Sequence, residues 1–288
     1  MTRIFQFRYL ILAPAIFFIL LIGLYPFLKL LITSFQNITM FADDYGFAGF
    51  VHYARLAEDE RFWSSLLRTI VFTAVALPIE LGLGLAMAYL FLERVPLKQV
   101  FVALILLPTV ISPIVAGSTW RLMFDNRFGP INQIVGWFAG HEVKLLWTVD
   151  TSLAWPAILI ADVWQWTPFM FLFLLTALSA VDQEQVEAAS LDGASRWRTF
   201  RYIVLPAITP VMAIAMLIRG LDLFRIFDIV WTMTQGGPGT LTETISVYAY
   251  QMAFREFDVS YSAAFALAII VVLTGVVLTF LRMVEVER

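Results

Sequence analysis

The sequence predicts an all-α membrane protein with six transmembrane helices and a helical loop on the cytoplasmic side between the fourth and the fifth. Composition is the first reason. Of 288 residues, 60% are hydrophobic and 14% charged, with a mean hydropathy of +0.82. A soluble domain is nearer half apolar and a quarter charged, so part of the solvent for this chain must be lipid. The second reason is six apolar stretches of bilayer-spanning length. The third is an alternation of short and long connections, with the cationic residues gathered on one side.

A bilayer core requires about 20 apolar residues per helix. Segments 9–32, 66–92, 100–124, 153–179, 203–231 and 262–281 satisfy this. The first is too long for a cleavable signal and lacks an A-x-A-type site, so it reads as an uncleaved span. In the second, Glu80 is expected to be a buried acid with a partner. Pro108, Pro113 and Pro168 are expected to kink their spans and open space between them. The fifth segment is interrupted by Arg219, Asp222, Arg225 and Asp228.

Connections 93–99 and 180–202 lie on one side, and the longer 33–65, 125–152 and 232–261 on the other. The first side collects Arg3, Arg8, Arg94, Lys98, Arg196, Arg198, Arg201, Arg282 and Arg288. The other, roughly twice as long, has Arg55, Arg61, Arg127, Lys144 and Arg255. By the positive-inside rule the first set is cytoplasmic, and both termini lie inside.

Several function classes are disfavoured. A net charge of −3 and a pI near 5.4 argue against a nucleic-acid partner. The absence of Cys removes disulfides and thiolate chemistry, and His52 and His141 alone are too few for a structural zinc site. No GxxxxGK[ST] phosphate loop is present. No carboxylate or His cluster suits a membrane-embedded enzyme. No repeat occurs at a solenoid period.

Residues 182–206 read DQEQVEAASLDGASRWRTFRYIVLP. Asp182 can cap a helix, with Gln185 at the capping-box position. Gly193 stands where a left-handed residue would end that helix. A second short helix over 194–202 then leads to Pro206. The helix–turn–helix is either an amphipathic loop at the membrane surface or, through its small residues Ala188, Ala189, Ser190 and Ala194, a docking element for another protein.

Glu187-Ala188-Ala189, Asp192-Gly193-Ala194, Phe200, Ile203 and Leu205-Pro206 together resemble the EAA loop of importer-type ABC permeases. Phe227-Asp228, Thr234-Gln235-Gly236-Gly237-Pro238, Thr242, Tyr248, Tyr250 and Phe254 resemble a second pattern. It belongs to one of the two permease subunits of carbohydrate importers, the maltose and glycerol-phosphate group. Trp164, Pro168 and Phe169 are also in the expected places, whereas Ser260-Tyr261-Ser262-Ala263-Ala264 departs mildly from that group's pattern.

The resemblance implies a type I ABC importer permease architecture with three parts. Residues 1–65 would form the N-terminal tail, first helix and first periplasmic loop. Residues 66–282 would form the conserved five-helix core, with its coupling loop near 182–206, and 283–288 a cytoplasmic tail. It assigns ATPase coupling to Glu187, Ala188, Ala189, Asp192 and Gly193. The implied partners are a second, different permease, a cytoplasmic ATPase dimer, a solute-binding protein outside, and membrane lipid. No cofactor belongs to this chain, because ATP and magnesium would be held by the partner ATPase.

Charges within a span face a bundle interior or a watery cavity. Arg219, Asp222, Arg225 and Asp228 recur every third residue, forming a spiral over half the helix in which each acid can neutralise a base. They are either a structural salt-bridge ladder that anchors this helix to its neighbours or groups that meet solute hydroxyls in the pathway. Asp162, Trp164, Gln165 and Trp166 on the fourth span place aromatic faces beside a polar acceptor, as a sugar requires. Trp147 and Trp155, nearer a span end, fit an interfacial aromatic belt. A self-sufficient secondary transporter or channel is the alternative. The intramembrane charges favour it, while the count of six spans and the matched loop oppose it.

Overall fold

A computed structural model describes residues 2–38, 46–93 and 95–286, and side chains within 11–38, 46–93 and 95–282. Arg94 and Arg288 of the predicted cytoplasmic set lie outside the described residues, as do the side chains of Arg3 and Arg8.

The described residues form helices and no strand. In chain order they are α1 (Thr2–Ile19), α2 (Tyr25–Ser34), α3 (Val51–Glu58), α4 (Glu60–Leu90), α5 (Lys98–Val110), α6 (Pro113–Met123) and α7 (Pro130–Ala139). There follow α8 (Ala154–Ser179), α9 (Gln183–Leu191), α10 (Arg196–Thr199), α11 (Leu205–Phe224), α12 (Asp228–Met233), α13 (Ile245–Phe254) and α14 (Val259–Val286). Five stretches are long and apolar enough to cross a membrane: Ile11–Ser34, Glu60–Leu90, Ala154–Ser179, Arg196–Met233 and Val259–Arg282. The bent pair α5 and α6 makes a sixth if taken as one span.

Prolines account for the irregularities. Wide π-helical turns, Leu20–Leu24 and Phe200–Val204, end two residues before Pro26 and Pro206. Proline offers no N–H and its ring crowds the carbonyl four residues back, so the preceding turn widens. Between α5 and α6 the consequence is larger. The residue before a proline is driven out of the helical region, and Ser112, before Pro113, has ψ 136. Ile111 is extended as well, and the two helices meet at 94°. Pro168 behaves otherwise than expected: α8 runs through it without a break.

The chain divides into two compact units, Met1–Phe62 with Tyr248–Val276, and Trp63–Val247 with Val277–Arg288. The first is organised around Asp59. Its Oδ1 accepts from the amides of Arg61 (2.9 Å) and Phe62 (3.1 Å), capping the start of α4. Its Oδ2 accepts from the hydroxyls of Tyr248 (2.6 Å) and Tyr261. Arg55 lies over the Tyr261 ring and Arg61 over the Tyr248 ring, at 4.0 and 4.6 Å. Phe62 and Phe265, both fully buried, meet edge-on beneath them.

The second unit has two apolar clusters. In one, Phe72 and Ala76 of α4, Ala157 and Ala161 of α8 and Leu223 of α11 pack with Trp120 of α6 and Val230 of α12. In the other, Ala88 of α4 meets Met170, Phe171 and Leu174 of α8 and Ile208 and Ala215 of α11. α6 and α12 approach closely because residue 117 is glycine. A methyl group there would collide with Thr232 and lie 3.2 Å from the Ile229 Cα. Trp147 and Trp155 do not form an outer belt. They pack against the first cluster, and their ring N–H groups donate to Asn132 Oδ1 (2.8 Å) and the Leu241 carbonyl (3.0 Å).

Candidate functional site

The charged residues of the fifth span do not form a ladder. α11 ends at Phe224, and after Arg225–Phe227 the chain restarts as α12 with Asp228 as its first residue. Of the four, Asp222 and Arg225 make the i,i+3 pair, at 2.8 Å. Arg219 instead reaches two other helices. Its Nε donates to Glu80 Oε2 (2.7 Å), and its Nη2 donates to Glu80 Oε1 (2.9 Å) and Asp162 Oδ2 (2.6 Å). The guanidinium also lies 4.8 Å from the centre of the Trp166 ring. Relative exposure is 3% for Arg219, 0% for Glu80 and 1% for Asp162. A bare ion could not persist there, and the planar fork of arginine is what lets one cation serve two acids. This cluster ties α4, α8 and α11 together at one level.

Beside it is a pocket of about 320 Å³. Asp162, Trp166 and Arg219 line it on one side, and Asp222, Arg225 and Asp228 around the break between α11 and α12. Pro113, the first residue of α6, also faces it. Thus five of the six predicted pathway residues converge on one cavity. Trp164 lies outside it: the ring is 38% exposed and stands edge-on to Trp120 at 5.7 Å.

The breaks in the helices are closed by side chains from other elements. Gln165 Nε2 donates to the Ile111 carbonyl (2.8 Å) at the end of α5. Thr244 Oγ1 donates to the Ile226 carbonyl (3.0 Å) after α11. In a span no water is at hand to do this, so such bonds are obligatory. The T-x-G-G-P stretch is held in the same manner. The Thr242 hydroxyl donates to the Gly237 carbonyl (2.7 Å) and lies 2.7 Å from the Thr234 hydroxyl. Thr242, Glu243 and Thr244 are all buried. Sequence reasoning missed Thr244, and it named Gln165 as a polar neighbour of the pathway tryptophans without foreseeing its cap on another helix, since such capping leaves no local pattern.

At the other candidate site, Asp182 caps α9 by accepting from the Glu184 amide (3.0 Å). The return bond expected from Gln185 is not formed among the described hydrogen bonds. The helix closes with paired bonds, from the Gly193 amide to the Ser190 carbonyl (3.1 Å) and from Ala194 to Ala189 (2.9 Å). This Schellman closure requires a left-handed residue, and Gly193 has φ +79. Ser195 then caps α10 through the Arg198 amide (3.4 Å). The second helix is shorter than expected, covering Arg196–Thr199 before the π turn. Glu187, Ala188, Asp192 and Gly193 are exposed, Ala189 is half-buried, and Leu191 is 90% exposed.

Outside the spans, the Asp59 environment has an electrostatic consequence. Burial alone would raise its carboxyl. Hydrogen bonds from Tyr248 and Tyr261, with the Phe62 and Arg61 amides, outweigh burial and hold it below the ordinary range. Burial and the bond to Asp59 push the Tyr248 phenol up.

A helical bundle with bilayer-length spans, an intramembrane charge cluster and an exposed helix–glycine–helix loop defines a polytopic membrane protein. The family model described as "Binding-protein-dependent transport system inner membrane component" matches residues 54–284. The trehalose/maltose transport system permease protein MalF of Thermococcus litoralis is 32% identical over 280 residues, covering 97% of this chain and 94% of that protein. The sulfoquinovosyl glycerol transport system permease protein SmoG of Agrobacterium fabrum is 30% identical, covering 96% and 89%. A crystal structure of a bacterial ABC transporter involved in the import of the acidic polysaccharide alginate shares the fold, with TM-score 0.80, 20% identity and coverage of 96% and 94%. This chain belongs to the family of binding-protein-dependent transport system inner membrane components, and it is an ABC transporter permease.

Proposed function

We propose that this permease forms half of an import pathway for a sugar or sugar-like solute: an oligosaccharide, glycoside, polyol or glycerol phosphate. The pocket at the α11 break carries the reading. Sugars present apolar C–H faces and a rim of hydroxyls, and the pocket offers the Trp166 ring beside Asp162, Asp222 and Arg225. The relatives named for trehalose, maltose and sulfoquinovosyl glycerol support it.

The chain would work beside a second, different permease in a bacterial inner membrane, with both termini and the 182–206 loop cytoplasmic. It would be non-catalytic, with ATP and magnesium held by a partner ATPase dimer. A solute-binding protein would deliver cargo from outside. The ATPase contact would fall on Glu187, Ala188, Ala189, Asp192 and Gly193. Because α9 is closed at both ends, it moves as one body when pressed. The π turn carries that displacement into α11, where Arg219 is bound to α4 and α8. The pocket walls therefore change contact with the cargo between states, which is what coupling requires.

The test is to isolate the chain from its native membrane and identify what remains attached. Two ATPase copies, one other permease and sugar uptake that depends on ATP support the reading. A chain found alone, with uptake driven by an ion gradient, overturns it. Gly193→Val should then preserve ATP hydrolysis while lowering coupled uptake at least about ten-fold, because a β-branched residue resists φ +79.

A further inference from the structure

A second concavity, of about 590 Å³, lies between the C-terminal half of α4 and the α10 segment. Leu85, Tyr89 and Leu90 of α4 face Trp197 and Phe200 across it. Trp197 stacks on Phe200 at 5.8 Å, and Tyr89 meets Phe200 edge-on at 5.8 Å. The groove is therefore a preformed aromatic and aliphatic slot, yet Leu90 is 68% and Trp197 70% exposed. Arg196 lines it. Arg198 and Arg201 follow within one and a half turns, and residues 194–206 contain no acid. Among the described residues these three exposed guanidinium groups have no carboxylate within salt-bridge distance.

An apolar slot on a spanning helix, ending at unpaired cations, matches the two ends of a single kind of molecule. We propose that this groove binds one anionic phospholipid of the cytoplasmic leaflet, its acyl chain along α4 and its phosphate at Arg196. The placement rests on the reading of residues 182–206 as a cytoplasmic membrane-surface loop. Lipid is favoured over a protein occupant by position and charge. The slot is cut into a helix whose exposed neighbours, such as Leu83, are apolar, and a protein would have to bring its own acids to three cations. Tyr89 and Trp197 provide the amphipathic rings typical of the headgroup level, and a basic pocket beside a span is suited to an anionic headgroup.

The test uses the intact complex as purified, reconstituted in phosphatidylcholine nanodiscs with and without phosphatidylglycerol. Lipid retained after return to detergent is counted by native mass spectrometry. Phosphatidylglycerol should be retained by the wild type and by Arg127→Gln, on the opposite side. Arg196→Gln should reduce retention roughly five-fold, the effect of one juxtamembrane charge, with unchanged thermal unfolding. Equal retention in Arg196→Gln, or equal retention of phosphatidylcholine, overturns the proposal. So does absence of lipid combined with loss of a co-purifying chain in Trp197→Ala, which would give the groove to a protein. Failure of the importer reading would appear separately, as a preparation lacking an ATPase, and lipid bound to this chain would still be counted.

Discussion

At Arg219 a single cation is enclosed by two carboxylates from two other helices and by the face of an indole. At Asp59 a single anion is enclosed by two phenol hydroxyls and two backbone amides. The first cluster is dry, with all three charged side chains at 3% exposure or less. The second lies at the end of a span with partly exposed arginines around it. Where water is excluded, an ion needs full counter-charges and every donor filled. Where water remains close, neutral donors suffice, and the surrounding cations can stack on the rings instead of pairing with the acid.

The strongest way to break this contrast is Arg219→Met, which leaves two carboxylates facing each other without a cation. Thermal unfolding in detergent should show a loss of about 3–5 kcal/mol, the cost of orphaning a buried charge. The triple variant Arg219→Met, Glu80→Gln, Asp162→Asn should regain most of that, since no charge is then stranded. A triple variant as unstable as the single one would show that the fork geometry, rather than charge balance, matters. Next in size is Tyr261→Phe, which removes one donor from Asp59. Its expected cost is about 1.5–3 kcal/mol, as for a hydrogen bond to a charged group.

Asp59→Asn sharpens the comparison through pH. The folded carboxyl lies below its ordinary value, so it stabilises the fold above the unfolded value of about 3.9. That contribution fades as pH falls through the lower folded value. Wild type should therefore lose stability from about pH 4 downward. Asp59→Asn, which keeps the helix cap, should be less stable near neutrality and flatter at acid pH. Parallel curves would remove Asp59 from the account.

How much of this could be read beforehand differs between local and distant features. The spans were legible because hydropathy is additive along the chain, and the α9 boundaries because Asp182 and Gly193 act on their own turns. The pairing of Asp222 with Arg225 was legible for the same reason. Arg219 does anchor its helix to neighbours and Glu80 does have a partner, as expected, but the pairing itself was not legible, because the partners of Arg219 are 139 and 57 residues away. The 94° bend was only half legible. Two prolines announced a kink, but nothing local set its size, and the Gln165 that caps the Ile111 carbonyl comes from another helix. Nothing local singles out Asp59, because its partners Tyr248 and Tyr261 are brought to it by the fold.

The right-angled third segment has a dimensional consequence. Its limbs hold 13 and 11 residues, so they extend about 20 and 17 Å, while the hydrocarbon layer is about 30 Å thick. Neither limb crosses alone, and at the corner the Ile111 carbonyl takes its partner from another helix. Gln165, which supplies that partner, keeps its own buried Oε1 without a hydrogen-bond partner among the described residues. Pro113 at that corner borders the pocket. The corner of the bent segment and the polar pocket are therefore one neighbourhood, so a change in the bend angle would reshape the pocket wall.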